Sequence, residues 1–258
     1  PVTLELGGKS PSVVTDGFDL AKTARRLMYG KLMNAGQTCV APDYALVPAP
    51  MVDRFIEACR EATTSFYPTL ATNPQYTSII NDRQFRRLTA CIEEARALGA
   101  TIHPLHNEAT DVERRRLSPV AVTGVSDQMR VMQEELCGPV LPVVDYDSID
   151  EAIAYVNARP RPLALYYFGA ADAGLDAVLS RTISGGVTVN NTAFHVVQED
   201  LPFGGVGPSG MGRYHGRAGF DTFSKLKPVF LDGRISGSSF LMPPYGRKFR
   251  AILRLLYR

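Results

Sequence analysis

The chain has 258 residues, is 45% hydrophobic, and carries a net charge of +2 from 28 basic and 26 acidic residues. This length is sufficient for one large domain or two small ones. The balanced charge gives no indication of a nucleic-acid partner. No run of 18 apolar residues occurs, so no membrane-spanning helix is predicted. The four cysteines are widely spaced and form no CxxC pair, which disfavours a metal site or a disulfide framework and favours a reducing cytoplasm. They are Cys39, Cys59, Cys91 and Cys137.

Short strand-like runs alternate with helical patterns along the chain, which predicts an α/β fold with a largely parallel sheet flanked by helices. Ser148 and Asp150 are candidate N-terminal caps for the predicted helix Ser148–Asn157. The predicted strands are Ser12–Val14, Ala45–Val47, Pro119–Val122, Pro139–Tyr146, Leu163–Phe168 and Gly186–Asn190. The predicted helices are Asp19–Met33, Met51–Phe66, Asp82–Leu98, Ser148–Asn157 and Asp172–Arg181.

A glycine-dense stretch, "LPFGGVGPSGMGRYHGRAGF", follows the last predicted strand. Gly205, Gly207 and Gly210 fit the pattern G-x-G-x-x-G, but a dinucleotide-binding loop needs a strand before it and a helix directly after it. Here the pattern follows "QEDLPF" and contains Pro208. We therefore interpret it as an ordered loop whose glycines bring Phe203 near a pocket.

The C-terminal part contains two further features. "KLKPVF", from Lys225 to Phe230, is a candidate edge strand. Residues 247–258 hold five basic residues and no acidic one, with apolar side chains at helical spacing. A basic amphipathic helix suits peripheral contact with an anionic membrane surface. A helix docked on the protein, or a frayed end, is the alternative.

Cys39 is the first candidate for chemistry, because "NAGQTCVAPDY" places it in a polar loop. The thiolate is the reactive form, so a catalytic cysteine benefits from an electropositive or donor-rich position. Gly36 would let a substrate approach closely, and the Cys39 amide would donate to an oxyanion. The alternative is a small apolar residue in a loop.

Two carboxylates are further candidates. Glu5 lies between leucines in "LELGGKSP", where partial desolvation would raise its pKa and suit a general base. Glu134 and Glu135 precede a turn and a buried strand in "QEELCGPVLPVV", and at most one of these adjacent carboxylates would face a site and hold sugar hydroxyls. An exposed glutamate is the alternative for each. None of the four histidines has metal-ligand spacing.

Taken together, "LELGGKSP", "GQTCVAPDY", "EELCGPVLPV" and "LPFGGVGPSGMGRYHG" resemble the aldehyde dehydrogenase superfamily in order and separation, from residue 1 to about residue 230. "APDY", "SGMGRYHG" and the closing "LMPPYGRKFRAILRLL" are similar to the class-3 branch, which includes coniferyl and fatty aldehyde dehydrogenases.

The resemblance implies oxidation of an aromatic or long-chain aldehyde to the acid with NAD or NADP. Cys39 would be the nucleophile that forms a thiohemiacetal and then a thioester, and Glu5 the general base that activates water. Glu135 would bind the ribose next to nicotinamide, and the Leu6 and Gly7 backbone would pass beside the nicotinamide ring. The usual Phe is replaced by Cys137, which adds a second thiol near the cofactor and makes a disulfide with Cys39 conceivable.

The resemblance also implies a division of the protein. We expect residues 1–224 to be the catalytic domain, with residues 1–10 at its junction with a cofactor domain. Residues 225–258 would be an oligomerisation strand, giving a homodimer, and a tail. Because the chain begins without Met, we expect a piece that lacks most of the dinucleotide-binding domain and one oxyanion donor, and therefore little dehydrogenase activity by itself.

Two other functions remain open. A reactive thiol next to a base cleaves activated esters without a cofactor. The chain would alternatively be a non-catalytic oligomerisation unit.

Overall fold

The computed structural model describes residues 2–238 and 242–257. The chain divides into two units, residues 1–223 and 224–258. This division lies one residue from the predicted boundary after residue 224. The roles assigned to the two parts stay predictions.

The first unit is built on a seven-stranded sheet and a separate two-stranded sheet. The strands are β1 (Leu4–Glu5), β2 (Pro11–Val14), β3 (Tyr44–Pro48), β4 (Thr101–Pro104), β5 (Val120–Thr123), β6 (Val140–Tyr146), β7 (Ala164–Phe168), β8 (Gly186–Val189) and β9 (Gly210–Met211). The large sheet has the order β4-β5-β6-β3-β2-β7-β8, and within it β4 runs antiparallel to its neighbour while the other pairs are parallel. The predicted α/β fold with a largely parallel sheet is confirmed.

Helices cover both faces of this sheet, since the buried residues of α1 and α2 pack in one core cluster and those of α3, α5 and α6 in another. The alternation along β2 shows why, because Val13 belongs to one cluster and Val14 to the other. The helices are α1 (Leu20–Leu32), α2 (Val52–Phe66), α3 (Asp82–Ala97), α4 (Arg130–Gln133), α5 (Ile149–Asn157), α6 (Ala173–Arg181), α7 (Phe194–Val197), α8 (Gly216–Thr222) and, in the second unit, α9 (Arg247–Leu256).

The long predicted helices begin and end within one residue of the observed ones. Ser148 caps α5 by accepting the Glu151 N–H at 3.3 Å. Asp150 is not a cap, because it lies inside the first turn of α5. The elements not predicted from the sequence are β4, the short helices α4, α7 and α8, and β9 with its pairing to β1.

In the second unit, residues 225–230 belong to no strand of the described structure. The predicted edge strand is therefore absent from the single chain, and a strand completed by a second chain stays a prediction. None of the described helices is long and apolar enough to cross a bilayer.

Candidate active site

Cys39 and Glu5 lie side by side. Cys39 is in the loop between α1 and β3, and Glu5 ends β1. The Cys39 thiol donates a hydrogen bond to Glu5 Oε1, with 3.5 Å between sulfur and oxygen. The two residues are 34 positions apart, so the fold and not the local sequence brings them together. A thiol touching a carboxylate is the arrangement of a nucleophile and its base.

The loop of Cys39 depends on a glycine. Gly36 has φ +78°, and a Cβ there would lie 2.5 Å from the Gly138 carbonyl oxygen. On the far side of Cys39, the Tyr166 hydroxyl donates to the Val40 carbonyl. The absence of a side chain at Gly36 therefore allows both the positive φ of its own loop and close packing of this loop against the turn that contains Glu135.

Cys39 is protonated at neutral pH. Burial raises the pKa of its thiol to about 11, and the negative charge of Glu5, the hydrogen bond to Glu5 and the charge of Glu135 add to the effect. The motif around Cys39 predicted surroundings that favour the thiolate, and the charge around the sulfur is instead negative. The thiol needs a proton acceptor at the moment of attack, and Glu5 is in contact with it.

Tyr214 holds the other side of the same carboxylate, since its hydroxyl donates to Glu5 Oε2. Burial and this contact raise the pKa of the Tyr214 hydroxyl to about 12, so it remains a donor. Tyr214 lies within the motif "SGMGRYHG", but no role was predicted for it from the sequence.

Phe203 lies beneath Tyr214. It is 3% exposed, and its ring packs edge-on against Tyr214 at 5.6 Å and stacks on His215 at 5.7 Å. The glycine-rich loop thus places Phe203 in the core below the site. Its predicted contact with substrate stays a prediction.

Glu135 forms a second acidic position next to the first. It is half-buried and accepts the Gly8 N–H, and burial, followed by the charge of Asp43, raises its pKa. Gly7 has φ +91°, and a Cβ there would lie 2.8 Å from Glu135 Oε2. Leu6 precedes it with 60% of its surface exposed. The "LELGG" backbone therefore passes directly over the Glu135 carboxylate.

The Cys137 thiol donates a hydrogen bond to the Glu135 carboxylate. The backbone of Cys137 has φ +44°, an uncommon conformation for a residue with a side chain. Burial raises its pKa to about 12, with Glu135 as the next cause. Cys39 and Cys137 are both free thiols, so the conceivable disulfide is not formed in this structure.

Lys9 and Asp43 join the three segments that contain the candidate residues. Lys9 Nζ forms an ion pair with the Asp43 carboxylate and donates to the carbonyls of Val131 at 2.8 Å and Glu134 at 2.9 Å. Asp43 also accepts the Leu136 N–H at 2.8 Å. Each of these contacts lies one to four residues from Glu5, Cys39 or Glu135.

Lys31 of α1 is fully buried beside this group. Burial lowers its pKa to about 8, against the raising effect of Asp43. Neither Lys31 nor the Lys9–Asp43 pair was predicted from the sequence. The available signal was a lysine at a buried position of the α1 pattern, where an apolar residue is usual.

Known proteins share the sequence and the fold of this chain. Residues 1–229 match the aldehyde dehydrogenase family. The chain belongs to the aldehyde dehydrogenase family. A probable coniferyl aldehyde dehydrogenase of Pseudomonas aeruginosa is 52% identical over 257 residues, covering 100% of this chain and 53% of the relative. Aldehyde dehydrogenase family 3 member A2 of Mus musculus is 44% identical over 90% of this chain and 47% of its own length. The resemblance to the class-3 branch is confirmed.

Solved aldehyde dehydrogenase structures have the same fold. A substrate-bound Staphylococcus aureus AldH superposes with a TM-score of 0.86 and 38% identity, over 99% of this chain and 55% of that one. A Staphylococcus aureus betaine aldehyde dehydrogenase in complex with NAD+ gives 0.74 and 27% identity, over 86% and 44%. The chain therefore spans about half the length of the aldehyde dehydrogenases it matches.

Proposed function

We propose that this chain forms the catalytic part of an NAD- or NADP-dependent aldehyde dehydrogenase that oxidises an aromatic or long-chain aldehyde to the carboxylic acid. The observation that supports it is the contact of the Cys39 thiol with Glu5 at 3.5 Å in a chain of this family. The aldehyde class follows the coniferyl aldehyde dehydrogenase relative. The proposal concerns the whole protein.

The first step is addition of sulfur to the aldehyde carbon. Because the Cys39 thiol is protonated at rest, Glu5 takes its proton as the carbon–sulfur bond forms. When bound, NAD or NADP supplies the two-electron acceptor that brings the adduct to the oxidation level of an acid. Glu5 releases the first proton to solvent and then takes a proton from the water that adds to the thioester carbon. The carbon–sulfur bond breaks, the acid leaves, and this second proton passes from Glu5 to the Cys39 sulfur.

The residues around Glu135 fit a nicotinamide ribose. Glu135 is a half-buried carboxylate that accepts the Gly8 N–H and the Cys137 thiol, and its two oxygens keep further acceptor capacity for ribose hydroxyls. Gly7 removes the side chain that would cover this carboxylate, and the exposed Leu6 offers an apolar surface beside it. We propose that Glu135 holds the ribose, that Leu6 and Gly7 line the ring, and that Cys137 replaces an aromatic contact there.

An ester assay tests the pair formed by Cys39 and Glu5, called the dyad below, without any cofactor. With p-nitrophenyl acetate, Cys39 should take the acetyl group in a burst of one equivalent of p-nitrophenolate, and mass spectrometry should find the acetyl group on the Cys39 peptide. Cys39→Ser should show no burst, whereas Cys91→Ala, in the core on α3, should retain it. A burst that survives Cys39→Ser would contradict the proposal.

The same dyad favours a second candidate function, cofactor-independent thiol esterase activity, since neither residue needs nicotinamide to cleave an ester. Steady-state turnover of aldehydes with NAD or NADP by the whole protein would favour the dehydrogenase. Rapid ester turnover together with no aldehyde oxidation would favour the esterase.

We also propose a homodimer formed through residues 225–230. Leu226, Val229 and Phe230 are each more than two-thirds exposed in a segment outside the described sheets, and such a segment suits strand addition to another chain. Light scattering should give a dimer mass for the wild type and a monomer mass for Leu226→Lys/Phe230→Lys. A dimer that persists in this variant would place the interface elsewhere.

We also propose that the C-terminal tail, residues 246–258, makes peripheral contact with anionic membranes. Along α9, Phe249, Ile252, Leu253 and Leu256 share one face, and Arg247, Arg250 and Arg254 lie on the opposite face. Vesicles containing phosphatidylglycerol should sediment the chain but not a version lacking residues 246–258. Equal sedimentation of both would exclude α9 as the contact.

A further inference from the structure

Glu5 is held from both sides. One carboxylate oxygen accepts from the Cys39 thiol at 3.5 Å, and the other accepts from the Tyr214 hydroxyl. With both oxygens occupied, the carboxylate has one orientation in this structure, which faces the sulfur. Glu5 itself lies on a two-residue strand with an exposed side chain, so its own backbone gives it little support.

The glycine-rich loop is built to place Tyr214. β9 pairs antiparallel with β1, with Glu5 opposite Gly210. Phe203 and Tyr214 exchange backbone hydrogen bonds of 2.8 Å in both directions, and their rings pack together. The loop that contains the G-x-G-x-x-G pattern thus delivers a phenol hydroxyl to a carboxylate 209 residues away.

We propose that Tyr214 is a positioning residue that holds the Glu5 carboxylate against Cys39 in the orientation needed for thioester hydrolysis. This rests on the proposed function of Cys39 and Glu5 as nucleophile and base. The Tyr214 hydroxyl contacts Glu5 Oε2, the carboxylate oxygen that does not accept from the sulfur. Tyr214 therefore acts through Glu5, and it need not touch the substrate.

The role proposed for Tyr214 predicts different effects on the two half-reactions of ester hydrolysis, acylation and deacylation. In acylation, sulfur attacks the carbonyl carbon, p-nitrophenolate leaves, and the thiol proton passes to Glu5, which releases it to solvent. In deacylation, water adds to the thioester while Glu5 accepts its proton, the carbon–sulfur bond breaks, acetate leaves, and the proton returns to sulfur. Deacylation depends more on a correctly placed carboxylate, because water has no fixed position of its own.

Tyr214→Phe tests this role, since it keeps the ring that packs on Phe203 and removes only the hydroxyl. With p-nitrophenyl acetate we expect a full burst of one equivalent and a steady-state rate lowered about tenfold, the size expected for a lost hydrogen bond to a charged group. Tyr29→Phe, a half-exposed tyrosine on α1, should match the wild type.

A double variant guards against a purely structural effect. In a Glu5→Gln background, Tyr214→Phe should cause no further loss, because its effect passes through the carboxylate. An unchanged steady-state rate in Tyr214→Phe, a burst lost together with the steady-state rate, or an equal further loss in the Glu5→Gln background would overturn the proposal. Absence of a burst in the wild type would instead overturn the proposed function of Cys39.

Discussion

Lys9 and Asp43 form a nearly buried ion pair that ties the segment bearing Glu5 to the loop bearing Cys39. Lys9 lies four residues after Glu5, and Asp43 lies four residues after Cys39. Through Val131, Glu134 and Leu136, the same pair reaches the turn that contains Glu135. The distance between thiol and carboxylate is thus fixed by a charged contact beside the dyad.

Lys9→Met should destabilise the chain. It leaves Asp43, whose side chain is 3% exposed, without a cation, and removing one partner of a buried pair costs about 3–5 kcal/mol. Urea unfolding at pH 7 measures the loss. The exposed Arg96–Glu93 pair on α3 provides the control, because Arg96→Ala should cost about 1 kcal/mol or less. Equal losses in the two variants would show that the Lys9–Asp43 pair does not stabilise the fold.

Gly210→Ala should disrupt the pairing of β1 with β9. Its φ is +143°, and a Cβ would lie 2.1 Å from the Leu4 carbonyl oxygen. Gly99→Ala is the matched control, since Gly99 also has a positive φ, +96°, but a Cβ there would meet no atom within 4 Å. Each substitution costs about 1 kcal/mol because alanine is strained at a positive φ. Only Gly210→Ala adds a clash, between the new Cβ and the Leu4 carbonyl oxygen.

We therefore expect Gly210→Ala to unfold at lower urea concentration than Gly99→Ala, and to lose ester deacylation as Glu5 moves from Tyr214. Similar urea midpoints for the two variants, together with unchanged deacylation in Gly210→Ala, would mean that the pairing of β1 with β9 does not position Glu5.

Lys31 should make stability depend on pH. Its pKa in the folded chain is about 8, below the ordinary value of 10.5, because of burial. Between these values the unfolded chain binds the proton and the folded chain does not, so the contribution of Lys31 to the free energy of unfolding increases as pH rises from 8 to 10.5. The full change is roughly 3 kcal/mol.

The measurement is a comparison of wild type with Lys31→Met in urea at several pH values from about 7 to about 10, which span most of this window. The wild type should gain stability relative to the variant as pH rises, since other titrating groups are common to both. Curves that stay parallel would mean that Lys31 keeps an ordinary pKa.

The main helices and most strands could be predicted because their signal is local. The α3 positions Phe85, Leu88, Cys91, Ile92 and Ala95 repeat at helical spacing, and all are buried. β4 was missed because "TIHP" is a short edge strand that contains Pro and has no fully buried side chain. β9 and its pairing with β1 were missed because each strand has two residues and lies about 200 residues from its partner.

The candidate site divides in the same way. Cys39, Glu5 and Glu135 could be named as candidates from their motifs, but their proximity could not, because it depends on the sheet and on the Lys9–Asp43 pair. Tyr214 escaped notice since nothing near it in the sequence points to a carboxylate at the other end of the chain. The charge around Cys39 was likewise invisible, because Glu5 and Glu135 reach the sulfur from two distant segments.

The pH dependence of Cys39 alkylation tests the contact between thiol and carboxylate most directly. Iodoacetamide labelling, followed on the Cys39 peptide by mass spectrometry, should give an apparent pKa near 11 in the wild type. In Glu5→Gln the pKa should fall, since a negative neighbour is lost, and each unit of fall raises the thiolate fraction at pH 8 about tenfold. Glu61→Gln, on the exposed side of α2, should behave as the wild type. A Cys39 pKa that is ordinary in the wild type, or that does not change in Glu5→Gln, would contradict the pairing of nucleophile and base.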